Sequence, residues 1–143
     1  MALDRQTGSA SGPIPSTLSP VVKRFDRPER LFVFDSGRLE VITVGGQAIG
    51  KGSYAPGWRW SRCAAPSPAS RWGGPAPEQV GVVLSGHARV VSRDGSEVDL
   101  NPGDFFHTAM TTEHDEWVVG QRPCEILYLS GVETIIRQLH GAA

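Results

Sequence analysis

The chain has 143 residues and a formal net charge of −1, with 14 Lys and Arg against 15 Asp and Glu interspersed along it. That length suits one domain with a real core, and the mixed charge leaves no basic stripe to neutralise phosphates, so nucleic acid is not an expected partner. No apolar run reaches the length of a membrane span or of a signal-peptide core, which makes a cytoplasmic protein without a membrane partner the expectation.

Seventeen Gly and eleven Pro, scattered among short apolar runs, point to a turn-rich all-β protein. Residues 1–20 are rich in Ser, Pro, Gly and Thr and hold too little apolar surface to offset the entropy of ordering, so a flexible tail is expected ahead of one domain over 21–143. "RLFVFDSG" (30–37) and "RLEVITVGG" (38–46) alternate as strands joined through Asp35, Ser36 and Gly37. "GSYAPGWRWS" (52–61), if extended, places Trp58 and Trp60 on one face and Arg59 on the other. Four prolines and a Gly pair make 62–78 a loop.

From 79 to 104 three short strands form a meander, with a hairpin at Arg93 to Ser96 and a turn at Asn101 to Asp104. "FFH", "HDEWVVG" and "CEILYLSG" continue the series to nine or ten strands, the count of a sandwich or barrel. Only 132–141, with Ile135, Ile136 and Leu139 at helical spacing, reads as a helix. Cys63 and Cys124 lack CxxC spacing and read as free thiols.

The segment from Gly103 to Val118 resembles the second sequence motif of the cupins, which are jelly-roll β-barrels. Gly103 and His114 match that motif, whereas Ala109, Thr111 and Val118 stand where it has Pro, Gly and Asn. "LSGHARVVSRDGSEVDLNPGD" is similar to the stretch between the two cupin motifs. The resemblance implies a cupin-type jelly-roll β-barrel with a short C-terminal helix. In the first motif Gly52 matches, but Trp58 and Trp60 occupy the two metal-binding histidine positions, and the glutamate position falls on Gln79, with Glu78 on the opposite strand face. Of the family's usual ligands only His114 survives.

Strand parity places Phe105 and His107 on one face, and His114, Glu116 and Val118 on one face of the next strand. If the family fold holds, His114 points into the barrel beside Gln79 and the two tryptophans, in an aromatic cavity that Tyr128 could also reach. A single imidazole with a glutamine oxygen is a poor ligand set for iron or zinc, so no cofactor is expected, although a metal site completed by Cys63 stays open. His114 near Glu116 or His107 would serve as a general acid/base.

The expected function is therefore a small cupin that binds a small polar metabolite through Trp58, Trp60, Gln79, Tyr128 and Phe105. Metal-independent lyase or isomerase chemistry on His114, His107 and Glu116 would follow. Two alternatives stay open, a metal-dependent oxygenase or isomerase with a reduced ligand set and a non-catalytic binding or sensing domain. His87 and His140 read as surface and helix-end residues, and a homodimer is a family-level expectation.

Overall fold

The computed structural model describes residues 19–63, 78–109 and 113–141, with side chains up to residue 139 in the last stretch. Most of the 62–78 loop, most of the 1–20 tail and the His140 side chain lie outside the described residues.

Nine strands form two sheets among the described residues. The larger runs in the order β1 (Arg30–Phe34), β2 (Gly37–Val44), β3 (Gln47–Tyr54), β9 (Cys124–Tyr128), β4 (Gln79–Ser85) and β7 (Phe105–Thr108). The smaller runs β6 (Glu97–Leu100), β5 (Ala88–Ser92) and β8 (His114–Val118). All pairings are antiparallel and neighbours in space are often distant in sequence, as with β3 against β9. This is a jelly roll, whose two sheets face each other across the core. A short helix α1 (Trp60–Cys63) follows β3, and α2 (Val132–Gly141) ends the described chain. Neither helix is long and apolar enough to cross a membrane.

Register decides what faces inward. Leu39 opposes Gly52, Gly52 opposes Ile126, and Gly81 lies between Tyr128 and Phe106, so these residues share the inner face of the larger sheet. Two of the glycines are there for their lack of a side chain. A Cβ on Gly52 would lie 2.7 Å from the Tyr54 ring, and one on Gly81 would lie 2.7 Å from that of Phe106. The core around them contains Leu39, Val41, Val83, Ile126 and Cys124, with α2 laid over one end through Val132, Ile135 and Ile136. Cys124 is fully buried and packs as a small apolar residue.

Two expectations are corrected here. The strand expected over 52–61 stops at Tyr54, because Ala55, Pro56, Gly57 and Trp58 make a tight turn, closed by the Trp58 N–H donating to the Ala55 carbonyl at 3.0 Å. Proline at the second position and glycine at φ 94° at the third are what a type II turn requires. The second correction concerns β7. Gly81 pairs with Phe106 and Gln79 with Thr108, which puts Phe106 and Thr108 inside and Phe105 and His107 outside. Phe105 is 70% exposed and points away from the barrel interior, so its expected place in the ligand site is corrected.

Candidate functional site

The strand β8 carries three consecutive buried polar residues, His114, Asp115 and Glu116. Burying three such groups on one strand is costly unless each is used or paired. Alternation turns His114 and Glu116 toward the barrel interior and Asp115 away from it. Asp115 is nevertheless buried, because residues 59–63 fold over it. Its carboxylate accepts from Arg59 Nε at 2.6 Å, from Ser61 N at 3.0 Å and from Ser61 Oγ at 2.8 Å. Arg59 lies over the Trp117 ring, 4.4 Å from its centre, and bridges to it through the backbone. Val118 N donates to the Trp58 carbonyl at 3.2 Å. Asp115 thus pins the two-tryptophan segment to β8, although nothing in its local sequence pattern marks it out.

Inside the barrel, Trp58, Trp60, Gln79, His114, Glu116 and Tyr128 surround one small cavity, completed by Tyr54, Phe34, Leu39, Ile135 and Leu139. Trp58 and Trp60 reach it from the turn and from the start of α1 rather than from one strand face. The cavity holds ≈ 30 Å³, room for about a water molecule. A wider cleft of ≈ 290 Å³ opens at the mouth of the barrel between β6 and β7. It is lined by Val90, Ser92, Val98, Leu100, Phe106 and Thr108 among others, and it shares His114 with the inner cavity. His114 therefore stands between a tight aromatic interior and a roomier, mainly apolar mouth.

His114 Nε2 lies 4.0 Å from Glu116 Oε1, with both side chains less than a tenth exposed. Desolvation, and then the charge of Asp115, push the Glu116 carboxyl up to about 7. Tyr54 and Tyr128 share a hydroxyl–hydroxyl hydrogen bond of 2.6 Å, and burial raises both phenols well above their ordinary value. The rings of Tyr54 and Trp58 are in contact, 4.2 Å between centres. Tyr54 was missed as a site residue. The inward alternation of Gly50, Gly52 and Tyr54 along β3 was the signal that could have found it.

His107 sits on the outer rim, 56% exposed, with Nε2 3.1 Å from Glu78 Oε2. It borders the mouth cleft but pairs with Glu78 on the rim, so the expectation that it acts with His114 and Glu116 as a catalytic residue of the interior is corrected. His87 is part-exposed, 3.4 Å from Asp99.

Cupins commonly hold a metal ion, and the donors present here do not fit one. Among the described residues no three His, Cys, Asp or Glu side chains cluster. Residues 64–77 contain none of these four types, so that loop has no such ligand to contribute. Cys63 Sγ is directed at Asp35 Oδ2, 3.8 Å away, and does not line the cavity. One imidazole, one protonatable carboxyl and one amide fall short of the three good ligands that a catalytic transition metal needs.

Residues 74–130 match a family model described as the cupin domain. Among solved structures the chain is similar to a Cupin 2 conserved barrel domain protein from Salinispora arenicola CNS-205, at 15% identity and a TM-score of 0.54, over 85% of this chain and 98% of that one. It is also similar to KdgF from Halomonas sp., at 16% identity and a TM-score of 0.48, over 70% and 86% of the two chains. A sugar phosphate isomerase of the cupin superfamily from Silicibacter pomeroyi aligns at 14% identity and a TM-score of 0.47, over 66% and 58%. No curated protein matches the chain. With the jelly roll and the matched segment together, the described residues have a cupin-type fold. Identities this low make the likeness one of fold.

Proposed function

We propose that this cupin domain is a metal-independent acid/base enzyme of lyase or isomerase type, acting on a small metabolite whose reacting end meets His114. The observation that carries this reading is the His114–Glu116 pair, 4.0 Å apart and buried at the junction of the inner cavity and the mouth cleft. A proton acceptor and donor work best when their pKa lies near the working pH. Glu116, held at about 7, is in that range, and an imidazole beside it can take or return the same proton.

The sizes of the two spaces constrain the ligand. A volume of ≈ 30 Å³ admits one or two atoms, so the body of a metabolite belongs in the ≈ 290 Å³ mouth cleft. The cleft walls favour a ligand with a few apolar carbons behind a polar reacting end. Proton abstraction next to a carbonyl, followed by elimination or reprotonation, is the chemistry such a pair can perform.

The test is turnover across a panel of small hydroxylated and carbonyl compounds, with His114→Gln and Glu116→Gln as controls. Each variant should lose about 100-fold or more in kcat. Activity should survive exhaustive dialysis against chelator. Unaltered turnover in both variants, or loss on chelation, would sink the proposal. Saturable binding of a ligand that emerges unchanged would indicate a binding domain instead.

A further inference from the structure

Among the described residues, three buried polar atoms on side chains that line the inner cavity have no hydrogen-bond partner: the indole Nε1 of Trp58, the indole Nε1 of Trp60 and Oε1 of Gln79. The three side chains are 3%, 7% and 5% exposed. Native proteins seldom bury polar atoms unpaired, since each forfeits its bonds to water. An indole that only packs is commonplace, but two unpaired indole donors and one unpaired amide acceptor on side chains that line the same small cavity form a pattern.

The chemistry of the three atoms specifies what would satisfy them. Indole N–H groups only donate, and an amide oxygen only accepts. A single small group that answers both must accept and donate, as an O–H does. A carbonyl, ether or nitrile would take the indole protons and leave Gln79 Oε1 unpaired. An ammonium would do the reverse. Among the described residues no cationic side chain lines the cavity, and Glu116 does, so the described lining offers an anion no fixed positive charge. The volume of ≈ 30 Å³ fits a single oxygen with its hydrogens.

From this we infer that the inner cavity is a subsite for one hydroxyl group of the ligand, filled by a water molecule when no ligand is bound. Trp58 and Trp60 donate to its oxygen and Gln79 accepts its proton. The inference rests on the reading of this cavity as the ligand site, and it narrows the ligand to one that presents a hydroxyl next to the His114–Glu116 pair. Trp58, Trp60 and Gln79 become its specificity residues. The resemblance set them at positions where the family has metal ligands, and here they recognise an O–H instead.

The test uses the full-length protein, ¹⁵N-labelled, with NMR of the indole N–H groups assigned through Trp58→Phe and Trp60→Phe. Both indoles should show contacts to a long-lived water. Methanol, which accepts and donates, should shift both signals saturably. Acetonitrile, of similar size but acceptor only, should shift them about tenfold more weakly, because it can meet the indoles but leaves Gln79 Oε1 unpaired. Gln79→Leu, which keeps the shape and removes the acceptor, should weaken the methanol response about tenfold, and it carries the test if either tryptophan variant fails to fold.

Absence of water contact at both indoles, or an acetonitrile response equal to that of methanol, overturns the subsite. Neither readout involves turnover. Silent indoles in a protein whose activity needs His114 would remove the subsite alone, whereas responsive indoles in a protein whose His114→Gln variant keeps full activity would remove the acid/base proposal alone.

Discussion

Glu116 is the residue on which most of the site's electrostatics converge. Its carboxyl is raised from an ordinary 4.5 to about 7, first by desolvation and then by Asp115, and its charge in turn raises Tyr54, Tyr128 and Cys124. The folded protein therefore holds this proton more tightly than the unfolded chain does. Stability from Glu116 is complete below about pH 4.5 and is lost as the pH rises through about 7, an effect of order 3 kcal/mol at most. Glu116→Gln should accordingly melt at a higher temperature than the parent above pH ~7 and show a flatter Tm profile between about pH 5 and pH 8. Thermal melts in a series of buffers decide this, and a parent-like slope in the variant would place the titration elsewhere. At the same scale, Tyr54→Phe removes one half of the 2.6 Å hydroxyl pair and leaves its buried partner short of a bond. Urea unfolding should register a loss of about 1–2 kcal/mol.

Among the elements, the segment from the Ala55–Trp58 turn through α1 is held to β8 chiefly by Asp115. Three donors from Arg59 and Ser61 converge on that carboxylate, and Arg59 is 42% exposed, so solvent weakens its share. Asp115→Ala should cost about 2 kcal/mol in urea unfolding, because it leaves the part-buried donors of Arg59 and Ser61 without their acceptor. Asp115→Asn makes a sharper test. It keeps an acceptor for the Ser61 backbone while removing the negative charge beside Glu116, so the pKa governing the pH–rate profile should fall. A purely structural role for Asp115 would leave that pKa where it was.

For the molecule as a whole, α2 contributes Ile135 and Leu139 to the wall of the inner cavity, and the wider cleft among β5, β6 and β7 shares His114 with it. Ile135, buried on α2, forms part of the inner wall. Ile135→Ala should destabilise the fold by about 2–4 kcal/mol and widen the inner cavity, so that the discrimination between methanol and acetonitrile at the indoles is lost. Chemical denaturation and the same NMR titration measure the two effects independently.

Local pattern alone was enough to determine the β strands at 30–46 and 79–104, the hairpins between them, the helix at 132–141 and an all-β sandwich or barrel, since period and turn chemistry are written residue by residue, while the jelly roll was implied by the family resemblance. It also placed His114 and Glu116 on one face, because alternation along a strand is a local property. What it could not decide was which face of β7 looks inward, because Phe105–Phe106 offers an aromatic to either side. Pairing with Gly81, a residue distant in sequence, chose Phe106. Nor could local pattern show that Asp115, pointing away from the barrel, would be buried under residues 59–63, or that Trp58 and Trp60 would meet Gln79 around a space the size of one water. Those outcomes depend on which surfaces exclude water together, and only the packed chain brings the surfaces into contact.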